Sequence, residues 1–221
     1  MLHHLRSAAA ALLLTLAAAP LAAGEAGDLI FAERGPWALG DRVLTWELTR
    51  EGPALPGLNP AKAGQVTLAE ETDPADGKPV LKLHQKTDAG ERGAGPFPVS
   101  GGDPVLVFFL ENTARDMATM TGGSPFYIRN RIKDAVFQGG TVRRDGGKVT
   151  VEMQPFAEDP NRDRMGGFQT LTLRFVMGAD PKAPIAEMVA ETADPVTVTL
   201  PVEMANQPVA RARYLHSMVM K

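Results

Sequence analysis

The chain predicts an α+β fold: a curved, mainly antiparallel sheet with a helical hairpin, over about 104–121 and 125–138, packed on it. Three observations carry that expectation. Two stretches in the middle of the chain have helix punctuation at both ends. The segments on either side alternate apolar and polar residues with the period of a strand. Between two of those segments lies Asp145-Gly146-Gly147, and Asp-Gly favours the tight turn that matches strand twist.

Residues 1–24 read as a signal peptide. His3, His4 and Arg6 precede an apolar run from Ala11 to Ala19, followed by small residues at Ala22, Ala23 and Gly24. Cleavage near Glu25 would leave residues 25–221 as a single mature domain, periplasmic or secreted. Richness in Ala, Gly, Pro and Arg fits bacterial usage. No later run approaches the roughly 18 uninterrupted apolar residues of a membrane span. A net charge of −3 without a basic tract gives no footprint for nucleic acid. The absence of cysteine excludes disulfides, thiol catalysis and thiolate metal sites, so the core must supply the stability.

From Leu29 to Ala32 a short strand is expected. Val43 to Thr49 alternates, with Leu44, Trp46 and Leu48 on the buried face. A proline-rich connection with Pro53, Pro56 and Pro60 follows, too poor in donors for a central strand. Gln65 to Glu71 and Val80 to Lys86 flank a compact set of turn formers, Asp73-Pro74-Ala75-Asp76-Gly77, and read as a hairpin. Thr87 to Gly102 holds five glycines and two prolines and reads as a mobile loop.

The helical hairpin opens with Asp103-Pro104, whose side chain can cap the first turn and whose proline gives up an amide that has no partner there. Leu106, Phe109, Leu110, Thr113, Met117 and Met120 make its apolar stripe, and Gly122-Gly123 ends it. Ser124-Pro125 opens the second helix; Ile128, Ile132, Ala135 and Val136 share one face, and Gly139-Gly140 closes it. Thr141 to Arg144 and Lys148 to Gln154 form the next hairpin, Phe168 to Met177 another strand, and Ile185 to Thr192 a strand or short helix. Val196 to Met204 is expected at an edge, or with Pro201 at the strand's end, and Arg211 to Met220 as a last strand.

Three places have chemistry to offer. Ser124, Tyr127, Arg129 and Arg131 follow the glycine turn, where unpaired amides and guanidinium groups can take an anion. The same residues also fit a plain cap followed by a solvated face, with Arg131 and Asp134 paired at three-residue spacing and Glu111 paired with Arg115. His216, Met218 and Met220 share a face of an extended C-terminus, a soft donor set suited to cuprous copper; packing is the alternative use of such methionines. The gap between sheet and hairpin, lined by Phe109 and Met117 among others, can hold an apolar ligand or simply be filled.

No serine lies in a Gly-x-Ser-x-Gly elbow, and His84 and His216 are the only histidines after the leader. The expected function is therefore a non-enzymatic exported binding or accessory protein without a cofactor. It would hold a small apolar or amphiphilic ligand, or an envelope protein partner's apolar segment, at Phe109, Met117, Ser124, Tyr127, Arg129 and Arg131. A periplasmic copper-binding accessory using His216, Met218 and Met220 is the alternative, and a hydrolase of unknown class built on His84 a further one.

Overall fold

The computed structural model describes residues 24–53, 55, 61–199 and 211–221. The expected leader up to residue 23, Pro56 and Pro60 of the proline-rich connection, and the part of the Val196 to Met204 segment from Leu200 onward lie outside those residues. The described chain runs α1 (Glu25–Ile30), β1 (Leu44–Glu51), β2 (Ala61–Thr72), β3 (Pro79–Thr87), β4 (Gly90–Pro98), α2 (Pro104–Thr121) and α3 (Pro125–Gln138). It continues through β5 (Thr141–Asp145), β6 (Lys148–Met153), β7 (Leu171–Gly178), β8 (Glu187–Thr192) and β9 (Leu215–Met220).

All nine strands form one open sheet in the order β4-β3-β2-β1-β9-β8-β7-β6-β5, every neighbouring pair antiparallel. The last strand in sequence is thus the middle one in space. β9 joins a four-stranded half built before the helices to a four-stranded half built after them, through Leu48 opposite Met218 and Met188 opposite Met218.

Both main helices begin and end as their punctuation requires. The Asp103 carboxylate accepts from the amides of Val105 and Leu106 at 3.0 Å, and Gly122 takes the left-handed conformation (φ 67°) that a side chain disfavours. Burial pushes the Asp103 carboxyl up, against the pull of those amides and of Arg34 3.6 Å away. Ser124 Oγ accepts from the Tyr127 amide. The Val105 to Leu110 run is helical, and α2 lies across the middle of the sheet. Phe109 packs edge-on to Phe175 of β7 and stacks on the His216 ring of β9 at 4.6 Å. Together with Leu48, Leu68, Met117, Met120 and Met218 these residues form one continuous buried cluster.

Three segments differ from the sequence expectation; in the expected Val196 to Met204 strand the described residues 196–199 form no strand, Val196 making only a single bridge to Ala212. Leu29 and Ile30 lie in helix α1 rather than a strand, because Ala26 and Ile30, one turn apart, are the pair that this segment buries beside α3. The expected mobile loop Thr87 to Gly102 contains β4, paired to β3 from Thr87 opposite Gly90 to Val80 opposite Pro98. An edge strand needs backbone pairing on one side only, so its side chains carry no apolar alternation, and most of β4 is exposed. At the register shift between Leu81 and Leu83, Gly95 (φ 118°) passes so close to the Leu81 carbonyl that a Cβ would sit 2.9 Å from its oxygen.

Candidate functional site

Among the surface hollows beside the helices, three take residues from α2. The first is a cleft of about 520 Å³ between the N-terminal sheet half and α2. Arg50 reaches it from β1, Gln85 from β3, Arg92 from β4, and Asn112, Arg115 and Asp116 from α2. Its inner wall is a buried polar network. Both oxygens of Asp116 are engaged by the Arg50 guanidinium, with Nε to Oδ2 at 2.7 Å, and Oδ2 also accepts from the Tyr214 hydroxyl at 2.9 Å. Burial pushes the Tyr214 hydroxyl pKa well up although Arg50 pulls against it, so the phenol stays a donor.

His216 lies next to that group. Thr113 Oγ1 donates its one proton to the Phe109 carbonyl at 3.0 Å, so towards His216 Nδ1, also 3.0 Å away, it accepts. The ring is assigned its proton on Nδ1 by that logic. Burial, helped by the charges of Arg50 and Arg92, lowers the imidazole pKa to about 3, which keeps it neutral. Met218 is buried two residues on and Met220 half-buried. Nδ1 is committed to Thr113, so only Nε2 of the ring is left to meet a metal, and Met218 is packed in the buried cluster.

The second hollow, about 320 Å³, is an apolar groove on the solvent side of the hairpin. Phe31, Val107, Leu110, Ile132 and Phe137 line it, and Arg129 and Lys133 stand at its margin. Phe31 and Phe137 stack with centroids 5.1 Å apart, and the Lys133 ammonium sits 5.8 Å over the Phe137 ring. Among the described residues six large apolar side chains are exposed, and Phe31, Val107 and Phe137 are three of them, so the exposure is clustered here.

The third hollow, about 390 Å³, lies at the turn between the helices, where Met117, Gly123, Ser124, Tyr127 and Ile128 face Asn161, Arg164 and Met165.

The six expected ligand-binding residues do not form one site. Phe109 is core. Met117, almost wholly buried, touches the turn hollow together with Ser124 and Tyr127. Arg129 belongs to the apolar groove and pairs with Glu111 at 2.8 Å, which takes Glu111 away from the expected partner Arg115. The pairing crosses from α3 to α2 because the two helices pack side by side. Arg131 reaches Asp134 only at 4.0 Å and instead bonds Asp159 at 2.7 Å, in a loop that also binds the Tyr127 hydroxyl. Burial raises the Asp159 carboxyl, but the Asn161 amide, Tyr127 and Arg131 outweigh it and hold the pKa below the usual carboxylate range. His84 is exposed on β3, 3.3 Å from Glu71.

Compared with known protein families, with curated proteins and with solved structures, the chain has no match in any of the three.

Proposed function

We propose that the protein is an exported, non-enzymatic binding protein, and that its apolar ligand is an acyl-chain amphiphile with an anionic head lying in the groove on the outer side of the helical hairpin. The observation that carries this reading is the clustering of exposed Phe31, Val107 and Phe137 over Leu110 and Ile132, with Lys133 beside them. The space behind α2 serves the reading less well, since Phe109, Met117 and Met120 fill it. About 320 Å³ is at the small end of ligand pockets, which run from roughly 300 to 1,000 Å³, and suits one chain rather than several. Each methylene taken from water there contributes about 0.8 kcal/mol. Arg129 is neutralised by Glu111, whereas Lys133 has no carboxylate within 4.0 Å among the described residues, leaving one positive charge for the head.

The test is titration of the purified protein with a dansylated fatty acid, followed by displacement with dodecanoate. Saturable binding is expected, weakened about tenfold, or 1.4 kcal/mol, by Val107→Asp, which puts a charge on an exposed groove position without touching the core. Absence of saturable binding, or equal affinity in the variant, would overturn the proposal.

A further inference from the structure

The cleft between β1, β3, β4 and α2 has an uneven charge. Arg50, Arg92 and Arg115 line it with only two carboxylates, Glu91 and Asp116. Both are already committed. Asp116 gives both oxygens to Arg50 and one also to Tyr214, and Glu91 pairs with Lys86 at 2.8 Å. The Arg92 guanidinium is held by neutral acceptors only, Gln85 Oε1 at 2.9 Å and Asn112 Oδ1 at 2.6 Å, with its carbon 5.4 Å over the Phe108 ring. Arg115 has no carboxylate within 4.0 Å among the described residues, because Glu111, one turn before it on α2, points to Arg129 instead.

Guanidinium groups do not shed their protons at ordinary pH. The Arg92 pKa is lowered by burial and then by Arg115, and the Arg50 pKa by burial and, further down, by Arg92, so the three charges feel one another. A chain with a net charge of −3 thus concentrates positive charge at one concave place, and a cleft of one sign focuses its field on an incoming anion.

The scaffold is also fixed. Arg92 is clamped from β3 by Gln85 and from α2 by Asn112, whose own amide donates to the Phe108 carbonyl at 2.7 Å. That clamp uses Nε and one terminal nitrogen, and the other terminal nitrogen has no acceptor among the described residues. A planar fork of donors of this kind matches the oxygens of a phosphate. At about 520 Å³ the cleft is large enough for more than a bare ion, and the hydroxyls of Thr87 and Thr119 on its wall suit a hydroxylated remainder.

We propose that this cleft is a binding site for a small phosphate-bearing polar ligand, its phosphate held by Arg92 and Arg115 beside the Arg50–Asp116 pair. The site is separate from the apolar groove and does not depend on it. The experiment is calorimetric titration of the purified protein with glucose 6-phosphate, inorganic phosphate, glucose, and vesicles containing phosphatidylglycerol.

Glucose 6-phosphate is expected to bind and glucose not, with affinity falling as salt rises. Arg92→Gln with Arg115→Gln should weaken binding at least tenfold, Arg115→Gln alone, at an exposed position with no ion pair among the described residues, should weaken it at unchanged melting temperature, and Val107→Asp should leave it unchanged. Equal binding of inorganic phosphate assigns the site to the free ion, and binding of vesicles alone assigns it to a lipid head group; each keeps the phosphate chemistry. No binding of any phosphate-bearing probe, or undiminished binding by the double variant, overturns the proposal. A fatty-acid result of either sign leaves this test intact, because Val107 lies outside the cleft.

Discussion

Replacing Arg50 by Met should be among the most damaging changes available in the sheet, and the buried carboxylate of Asp116 is the reason. Asp116 is 2% exposed, and its three bonds come from Arg50 and Tyr214. Methionine fills much of the volume of the arginine stem but leaves a buried anion facing only a phenol. Stranding one member of a buried pair costs about 3–5 kcal/mol. For a chain of this size that corresponds to a fall in melting temperature of roughly 6–20 °C, at about 2–4 °C per kcal/mol. Asp116→Leu should cost less, because Arg50 is 9% exposed at the cleft wall and its guanidinium can turn toward water. The double change Arg50→Met with Asp116→Leu removes both charges and should recover most of the Arg50→Met loss, since an apolar pair in place of a buried ion pair is often neutral. Urea unfolding of the four proteins closes the cycle. A loss below about 1 kcal/mol for Arg50→Met, the size of an exposed pair, would refute the reasoning.

Two further outcomes concern other ionisable groups of the fold. His216 is held neutral in the fold, with its pKa at about 3 against an ordinary value of 6.5, so the unfolded chain takes up a proton first as the pH falls. Stability is therefore unaffected by this group above pH 6.5 and should decline between 6.5 and about 3, at up to about 1.4 kcal/mol per pH unit. His216→Leu should flatten that acid limb in a series of melts, and an unchanged slope would tell against the assignment. The two arginines of α3 should differ: Arg131→Met removes one of the partners of Asp159, leaving Tyr127 and the Asn161 amide, and is expected to cost about 1.5–3 kcal/mol. Arg129→Gln breaks a half-exposed pair and should cost less than about 1 kcal/mol in the same urea titration.

The elements that could be read from the sequence were those whose signal is local. The helical hairpin announces itself because Asp103, Pro104, Gly122, Ser124 and Pro125 act on the backbone next to them, and the β5–β6 turn does the same through Asp145-Gly146-Gly147. β4 could not be read, because it is specified by the β3 backbone opposite it and its own side chains are largely free to be glycine, proline or charge. The short helix α1 failed for the opposite reason: six residues give too little periodicity to separate a helix from a strand.

The arginine cleft was only half hidden. Continuing the alternation of Leu44, Trp46 and Leu48 places Arg50 on the buried face, and Asp116 falls one turn after Thr113 on the apolar stripe of α2. Two opposite charges in core register are the signature of a buried pair. What no local pattern could supply is that β1 and α2 meet at β9. That meeting depends on the C-terminal strand taking the central place in the sheet, which brings Tyr214 and His216 beneath residues far from them in sequence. The same placement puts the soft donors His216 and Met218 in the middle of the core instead of at a loose chain end, so these residues contribute to the sheet's packing before any other use. The chemistry of the cleft is thus a consequence of strand order: Arg50 is fixed by a helix carboxylate that also accepts from the phenol just before the last strand, and Arg92 and Arg115 are the charges outside that network.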